Sequence, residues 1–194
     1  MLDPLVLIFL TSGLFLGWAL GANDAGNVFG TAVGTKMVSW RTAAIICSIF
    51  VVLGAIVSGA GTSQTLGKLG AISALPGAFM TALSAAFAVY AMTKFGLPVS
   101  TSQAIVGAII GWNFFSNNPT DISTLTKILS TWIICPLLSG VIAIILYQTI
   151  KFSAQRVHIH MIRADAYQRV ALIVAGALGA YSLGANNIAN VVGV

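Results

Sequence analysis

Glutamate is absent from this 194-residue chain, and charged residues of all kinds make up only 7% of it. A soluble domain carries about 25%, so this chain cannot coat a water-facing surface in the usual way. Cysteine is nearly missing as well. Cys47 and Cys135 both lie in apolar runs and read as small buried hydrophobes, which argues against a disulfide or a cysteine metal pair. No Ser/His/Asp set and no Gly-rich ATP loop is present, so an enzyme or an ATP-driven pump finds no chemistry here. His158 and His160 share a basic stretch without a third ligand and read as solvated rather than metal-bound.

What the chain does have is apolar length. Hydrophobic residues make up 58% of it, and residues 4–22, 42–60, 72–93, 124–150 and 170–185 are nearly free of charge. About 20 helical residues cross the hydrocarbon core of a bilayer. A segment in lipid must pair its backbone groups internally, so these runs are expected to be helices. The first run lacks the basic start of a signal peptide and leads into more Gly-rich apolar sequence. The net charge of +5 comes from residues at span ends and in one hydrophilic stretch, which suits topology signals and not a nucleic-acid surface.

That stretch, residues 151–169, divides the chain. A first transmembrane repeat is expected over 1–150, a basic cytoplasmic loop over 151–169, and the truncated start of a second repeat over 170–194. The division rests on a repeated motif. Leu20-Gly21-Ala22-Asn23-Asp24-Ala25-Gly26-Asn27-Val28-Phe29-Gly30 aligns with Leu183-Gly184-Ala185-Asn186-Asn187-Ile188-Ala189-Asn190-Val191-Val192-Gly193 at a constant offset, with identity at seven of eleven positions.

The distribution of Lys and Arg gives direction. With 151–169 inside, Lys36 and Arg41 also fall inside if 72–93 and 97–115 either both cross or together form one re-entrant hairpin. Lys68 and Lys127 are then left outside. The first copy of the motif would run outward to inward and the second inward to outward, so the repeats are expected to be inverted. Inverted repeats with broken helices at their interface are a recurring plan of secondary transporters.

Two polar clusters carry the candidate chemistry. Asp24 is the only acidic residue inside an apolar run, where a carboxylate is costly unless it faces protein, water or a cation. Gly21, Gly26, Gly30 and Gly34 around it, with Asn23 and Asn27, would allow an unwound stretch whose oxygens suit an alkali cation. The other reading of the glycines is close helix packing, since Gly13, Gly17 and Gly21 form small-xxx-small steps. The second cluster is Pro98-Val99-Ser100-Thr101-Ser102-Gln103, where hydroxyls and free N–H groups gather at a helix start. That is the arrangement of an anion site, or of a plain N-cap at a water interface.

At these two clusters the chain resembles the inorganic phosphate transporter (Pit) family. Gly21-Ala22-Asn23-Asp24 with Asn27, and Gly184-Ala185-Asn186-Asn187 with Asn190, match the Gly-Ala-Asn-Asp motif that begins each inverted half. Pro98 to Gln103 matches a second family segment. Asn187 departs from the acidic residue often found in the second copy, which weakens a second carboxylate for a cation. The resemblance implies cation-coupled symport of inorganic phosphate, driven by sodium or protons, across the cell inner membrane. Sulfate would be the alternative substrate, and an ion channel or non-transporting receptor the alternative class. It implies phosphate contacts from Ser100, Thr101, Ser102, Gln103, Asn23 and Asn187, and coupling-cation contacts from Asn23, Asp24, Asn27, Asn186 and Asn190. No cofactor is expected beyond that cation. Lipid and the remaining half of the transporter, in the same or a separate chain, are the expected partners, with a homo-oligomer also possible.

Overall fold

Where the sequence runs apolar, the chain is helical. The computed structural model describes residues 4–59, 69, 75–156 and 160–192, and among these every regular element is a helix. The helices are α1 (Pro4–Leu20), α2 (Gly26–Gly34), α3 (Trp40–Ser58), α4 (Leu75–Lys94), α5 (Thr101–Phe115), α6 (Ile122–Arg156) and α7 (Met161–Val192). One π-helical turn, Gly21–Ala25, joins α1 to α2, so the two continue as one rod. Among the described residues, five stretches are long and apolar enough to cross a bilayer: Leu7–Gly34, Trp40–Ser58, Pro76–Lys94, Ile122–Arg156 and Arg163–Ile188. The protein is therefore an all-α, polytopic membrane protein.

Contacts fix the direction of each helix. Along α1 and α2, Gly13 approaches Val191, Val28 approaches Gly179, and Phe29 approaches Gly176. The numbers rise on one side and fall on the other, so α7 runs antiparallel to the α1–α2 rod. Against α3 the order is the reverse. Met37 O, just before α3, accepts from Arg169 Nη1 at 3.0 Å, Val51 meets Gly184, and Gly59 meets Ile188. Thus α3 and α7 are parallel, and the two copies of the motif lie in opposite directions, as expected of inverted repeats.

The same logic settles the 72–115 region, although residues 72–74 lie outside those described. Phe9 packs on Phe79, Phe15 on Phe87, and Trp18 on Tyr90, so α4 runs parallel to α1. It ends beside Asn23, which donates to Thr93 Oγ1 and Leu97 O. From Asn23 to Gly34 the rod continues for about 16 Å at ~1.5 Å per residue. The chain turns back at that mid-depth point, and α5 returns toward Asp121, whose N–H donates to Leu69 O. Of the two expected arrangements, α4 and α5 adopt the re-entrant hairpin, despite α4 having the length to cross.

The hairpin tip is built from local signals. Gly96 takes φ +69°, and the Leu97 N–H returns to Met92 O at 3.0 Å, which closes α4 as a Schellman turn. Pro98 then blocks further helix, and Ser100 Oγ accepts from Gln103 N–H to start α5. Asn117, with φ 55°, ends α5 the same way, through an Asn118 N–H bond to Asn113 O.

Two small cores hold the assembly. Leu16, Ala82, Ala85, Ala86, Ile105 and Ile109 join α1 to the hairpin, while Phe29, Ala32, Ala43, Cys47 and Ala180 join α2, α3 and α7. Alanine at these contacts lets backbones approach closely, the usual basis of helix association in lipid.

Two expectations change. Residues 151–169 are not a plain loop: 151–156 extend α6 and 161–169 belong to α7, with 157–159 outside the described residues. An Asp165–Arg169 ion pair at 2.7 Å one helical turn apart suits that helix. Cys135 is exposed on α6, not buried, because α6 from Ile133 onward presents its apolar side chains outward on every side.

Candidate functional site at the first turn of α5

The α5 N-terminus sits between the two copies of the motif. Thr101, fully buried, donates from Oγ1 to Asp24 Oδ2 at 2.5 Å. Its neighbour Ser102 donates from Oγ to Asn187 Oδ1 at 3.3 Å, and Asn187 is buried as well. Asp24 and Asn187 are the same position of the motif, one in each copy. Two equivalent residues on antiparallel helices thus meet adjacent hydroxyls on one helix start. Neither Thr101 nor Ser102 is acting merely as an N-cap, since Ser100 already fills that role.

The electrostatics follow from this placement. The first turn of α5 is the positive end of the helix dipole, which favours negative charge. Asp24 already puts one carboxylate there. A second anion could share this end only if the carboxylate were neutralised, by a cation or by a proton.

Asn23 has a different neighbourhood. Besides its bonds to Thr93 Oγ1 (2.9 Å) and Leu97 O (3.4 Å), its Oδ1 accepts the Val99 N–H at 3.3 Å. Both amide donors are engaged, so Asn23 clamps the hairpin tip to the rod. Thr93 is the residue that sequence reading missed. Its hydroxyl donates back to Val89 O at 2.7 Å and accepts from Asn23. Its only signal was a threonine one turn before the Gly96 that closes α4.

The remaining candidates disperse. Asn27 is exposed and borders, with Asn23 and Pro98, a cavity of about 310 Å³ beyond the hairpin tip. Ser100 and Gln103 are exposed beside the buried Thr101, and Gln103 shares only the capping bond. Asn186 is exposed on α7, while the side chain of Asn190 lies outside the described set. The structure therefore brings together Asp24, Thr101, Ser102 and Asn187, with Asn23 as the clamp beside them.

The two motif copies also differ in backbone. The first opens into a π turn, whereas the second continues as an α-helix through Val192. At the position of Gly26 the second copy has Ala189, a better helix former by about 1 kcal/mol. Asn187 Nδ2 also bonds back to Leu183 O at 3.1 Å, within the helix. The expected break is thus present in one copy only, and there as a widened turn rather than an unwound strand.

Comparison with known proteins identifies relatives of this chain. A candidate phosphate permease of Pyrococcus furiosus is 30% identical over 166 residues, covering 77% of this chain and 39% of its own length. The sodium-dependent phosphate transporter 1 of Mus musculus is 34% identical over 149 residues, covering 68% of this chain and 21% of its own length. The chain thus spans about two-fifths of the archaeal relative and about one-fifth of the mouse one. A solved sodium-dependent phosphate transporter superposes with a TM-score of 0.78 at 21% identity, covering 98% of this chain and 66% of that one, which establishes the shared fold. The model of the phosphate transporter family matches residues 20–164, from the first Asn/Asp motif through the hairpin and α6, and the chain belongs to that family.

Proposed function

We propose that this chain forms part of a cation-coupled symporter of inorganic phosphate in the cell inner membrane, with phosphate held at the first turn of α5. One observation carries the reading: Asp24 and Asn187, equivalent in the two copies, are bonded to the adjacent hydroxyls of Thr101 and Ser102. Among the described residues, the bonds that join Asp24, Thr101, Ser102 and Asn187 involve no Lys or Arg. Phosphate would be held by hydroxyls at the positive end of α5.

Coupling follows from the carboxylate. Phosphate next to a bare Asp24 meets like-charge repulsion in a low-dielectric setting. A sodium ion or a proton at Asp24 removes that repulsion, so the anion binds well only when the cation is present. Cation loss on the inner side then weakens the phosphate site and favours release. Asn27, Asn186 and Asn190 are further cation ligands in this reading, and Asn23 holds the hairpin that presents α5. The sodium dependence of the mouse relative and of the solved neighbour, both sodium-dependent phosphate transporters, supports sodium as the driver.

The test is phosphate uptake into proteoliposomes of the full-length protein, with sodium and proton gradients varied separately and sulfate as competitor. Saturable phosphate uptake that follows one cation gradient is the expected result. Sulfate uptake at equal efficiency would reassign the substrate. Non-saturating flux independent of either gradient would make the protein a channel.

A further inference from the structure

Lys94 stands at a depth where a lysine is costly. It is the last residue of α4, at the hairpin tip, and its neighbour Thr93 ties that tip to Asn23. From Asn23 the rod runs on for about 16 Å, at ~1.5 Å per residue, to Gly34. Only beyond that lies the basic face, where Arg169 meets Met37. A lysine stem is too short to snorkel over such a distance. A charged side chain this deep belongs in a water-filled cavity or beside a partner. Among the described residues no carboxylate pairs with Lys94. Its ammonium lies over the Tyr90 ring, 5.7 Å from the centroid, and the residue is exposed.

A cavity adjoins this residue. Because α4 runs parallel to α1 and Tyr90 packs on Trp18, Lys94, one turn further on, draws level with Ala22. Ala22 borders the cavity of about 310 Å³ beyond the tip, together with Asn23, Asn27, Thr93, Gly96 and Pro98. Asn23, Asn27 and Thr93 give that space polar walls, and the exposure of Ala22, Asn27 and Gly96 leaves it open. Thr93 and Gly96, on either side of Lys94 in sequence, both line it. The ammonium thus has two resting places, the ring of Tyr90 and the mouth of the cavity.

We infer that Lys94 is an anion-capturing residue at the mouth of this cavity, meeting phosphate between the first turn of α5 and the basic face. The inference rests on the transport reading above. Asn23 joins the two places: it lines the cavity, while the adjacent Asp24 meets Thr101 on α5. The cavity lies on the basic-face side of the tip, so an anion leaving Thr101 and Ser102 for that face passes Lys94. Positive charge at a polar cleft raises the local anion concentration. A cation–π contact at an exposed ring is weak, so the ammonium can leave Tyr90 for an anion and return afterwards. A fixed salt bridge would not allow that exchange.

Two measurements on the full-length protein test the inference. In the first, Lys94→Cys, with Cys47 and Cys135 replaced by serine, meets an impermeant thiol reagent in inside-out and right-side-out membrane vesicles. Ser153→Cys marks the basic face, and Ile144→Cys on exposed α6 marks lipid. The Lys94→Cys thiol should react from the side that labels Ser153→Cys and not from the other. A thiol as unreactive as that of Ile144→Cys lies in lipid or under protein and overturns the inference, as does reaction from the opposite side alone. The second measurement is phosphate exchange from the basic-face side. Lys94→Gln should raise the half-saturating concentration there about ten-fold, the scale of losing one charged contact. Lys94→Arg should keep the parent's value. Added salt should weaken capture by the parent and leave Lys94→Gln little changed, because screening acts on the charge. An unchanged Lys94→Gln, or equal losses with Gln and Arg, overturns the inference. Vesicles that exchange sulfate in place of phosphate would overturn the substrate reading alone, because the Lys94 comparison then runs with sulfate.

Discussion

The first motif copy is an opened turn carrying a carboxylate; the second is an unbroken helix carrying an amide. They began from closely similar sequence, and the differences between them are few: Asp24 against Asn187, Ala25 against Ile188, Gly26 against Ala189, Phe29 against Val192. Yet both reach the same helix start, at neighbouring hydroxyls. The comparison teaches that the repeat conserves position relative to α5 while charge and backbone diverge. One copy supplies a group that can bind or lose a cation. The other supplies a neutral contact that stays hydrogen-bonded within its own helix.

The comparison requires the copies to run in opposite directions across the membrane, and the most decisive outcome is all-or-none. Single cysteines at Ser116 and Ser153 are treated with an impermeant thiol reagent in intact cells, with Cys47 and Cys135 removed. Ser116→Cys should label and Ser153→Cys should not, in keeping with Arg169 and Met37 sharing the basic face. Labelling at Ser153 alone would reverse the orientation, though the copies would remain antiparallel.

Next in size is the erasure of the charge difference itself. Asp24→Asn makes the first copy match the second at this position, and Thr101 can still donate to the amide oxygen. Stimulation of uptake by the coupling cation should fall at least ten-fold, about the effect of losing one charged hydrogen-bond partner worth roughly 1.5–3 kcal/mol. Measured cation dependence equal to the parent's would reduce Asp24 to a structural group.

A smaller effect is expected from the hydroxyls that the two copies share. Thr101→Ala and Ser102→Ala should each raise the half-saturating phosphate concentration about ten-fold. Expression should hold steady, and Ser116→Ala should leave uptake unchanged. If Thr101→Ala matters and Ser102→Ala does not, the site belongs to the first copy alone. If neither matters, phosphate must be sought among Asn23, Asn27, Asn187 and Asn190.

The smallest effect concerns backbone shape. Ala189→Gly restores to the second copy the glycine of the first and weakens α7 locally by about 1 kcal/mol. Faster amide exchange over 185–190, with the rest of α7 unchanged, is the expected reading. Unchanged exchange there would mean that α3 packing, not residue 189, keeps this copy helical.

The amino-acid order alone pointed to the helical spans, to two motif copies in opposite directions and to the family resemblance. Each of these is local or statistical. Apolar runs of spanning length must become helices in lipid, and Lys and Arg at their ends report orientation. The start of α5 was equally legible, because Pro98 and Ser100 act on the residues beside them. What lay beyond the sequence were relations between distant segments. Whether residues 72–115 cross or turn back depended on the register of α4 against α1, which Phe9, Phe15 and Trp18 set through rings more than 60 residues away. Which asparagine faces the candidate site and which clamps a loop likewise came from packing. Asn23 and Asp24 are adjacent in sequence, but helical rotation turns one toward the hairpin tip and the other toward α5. Residue type told where polar groups were held in the membrane, and only the tertiary structure decided what each of them meets.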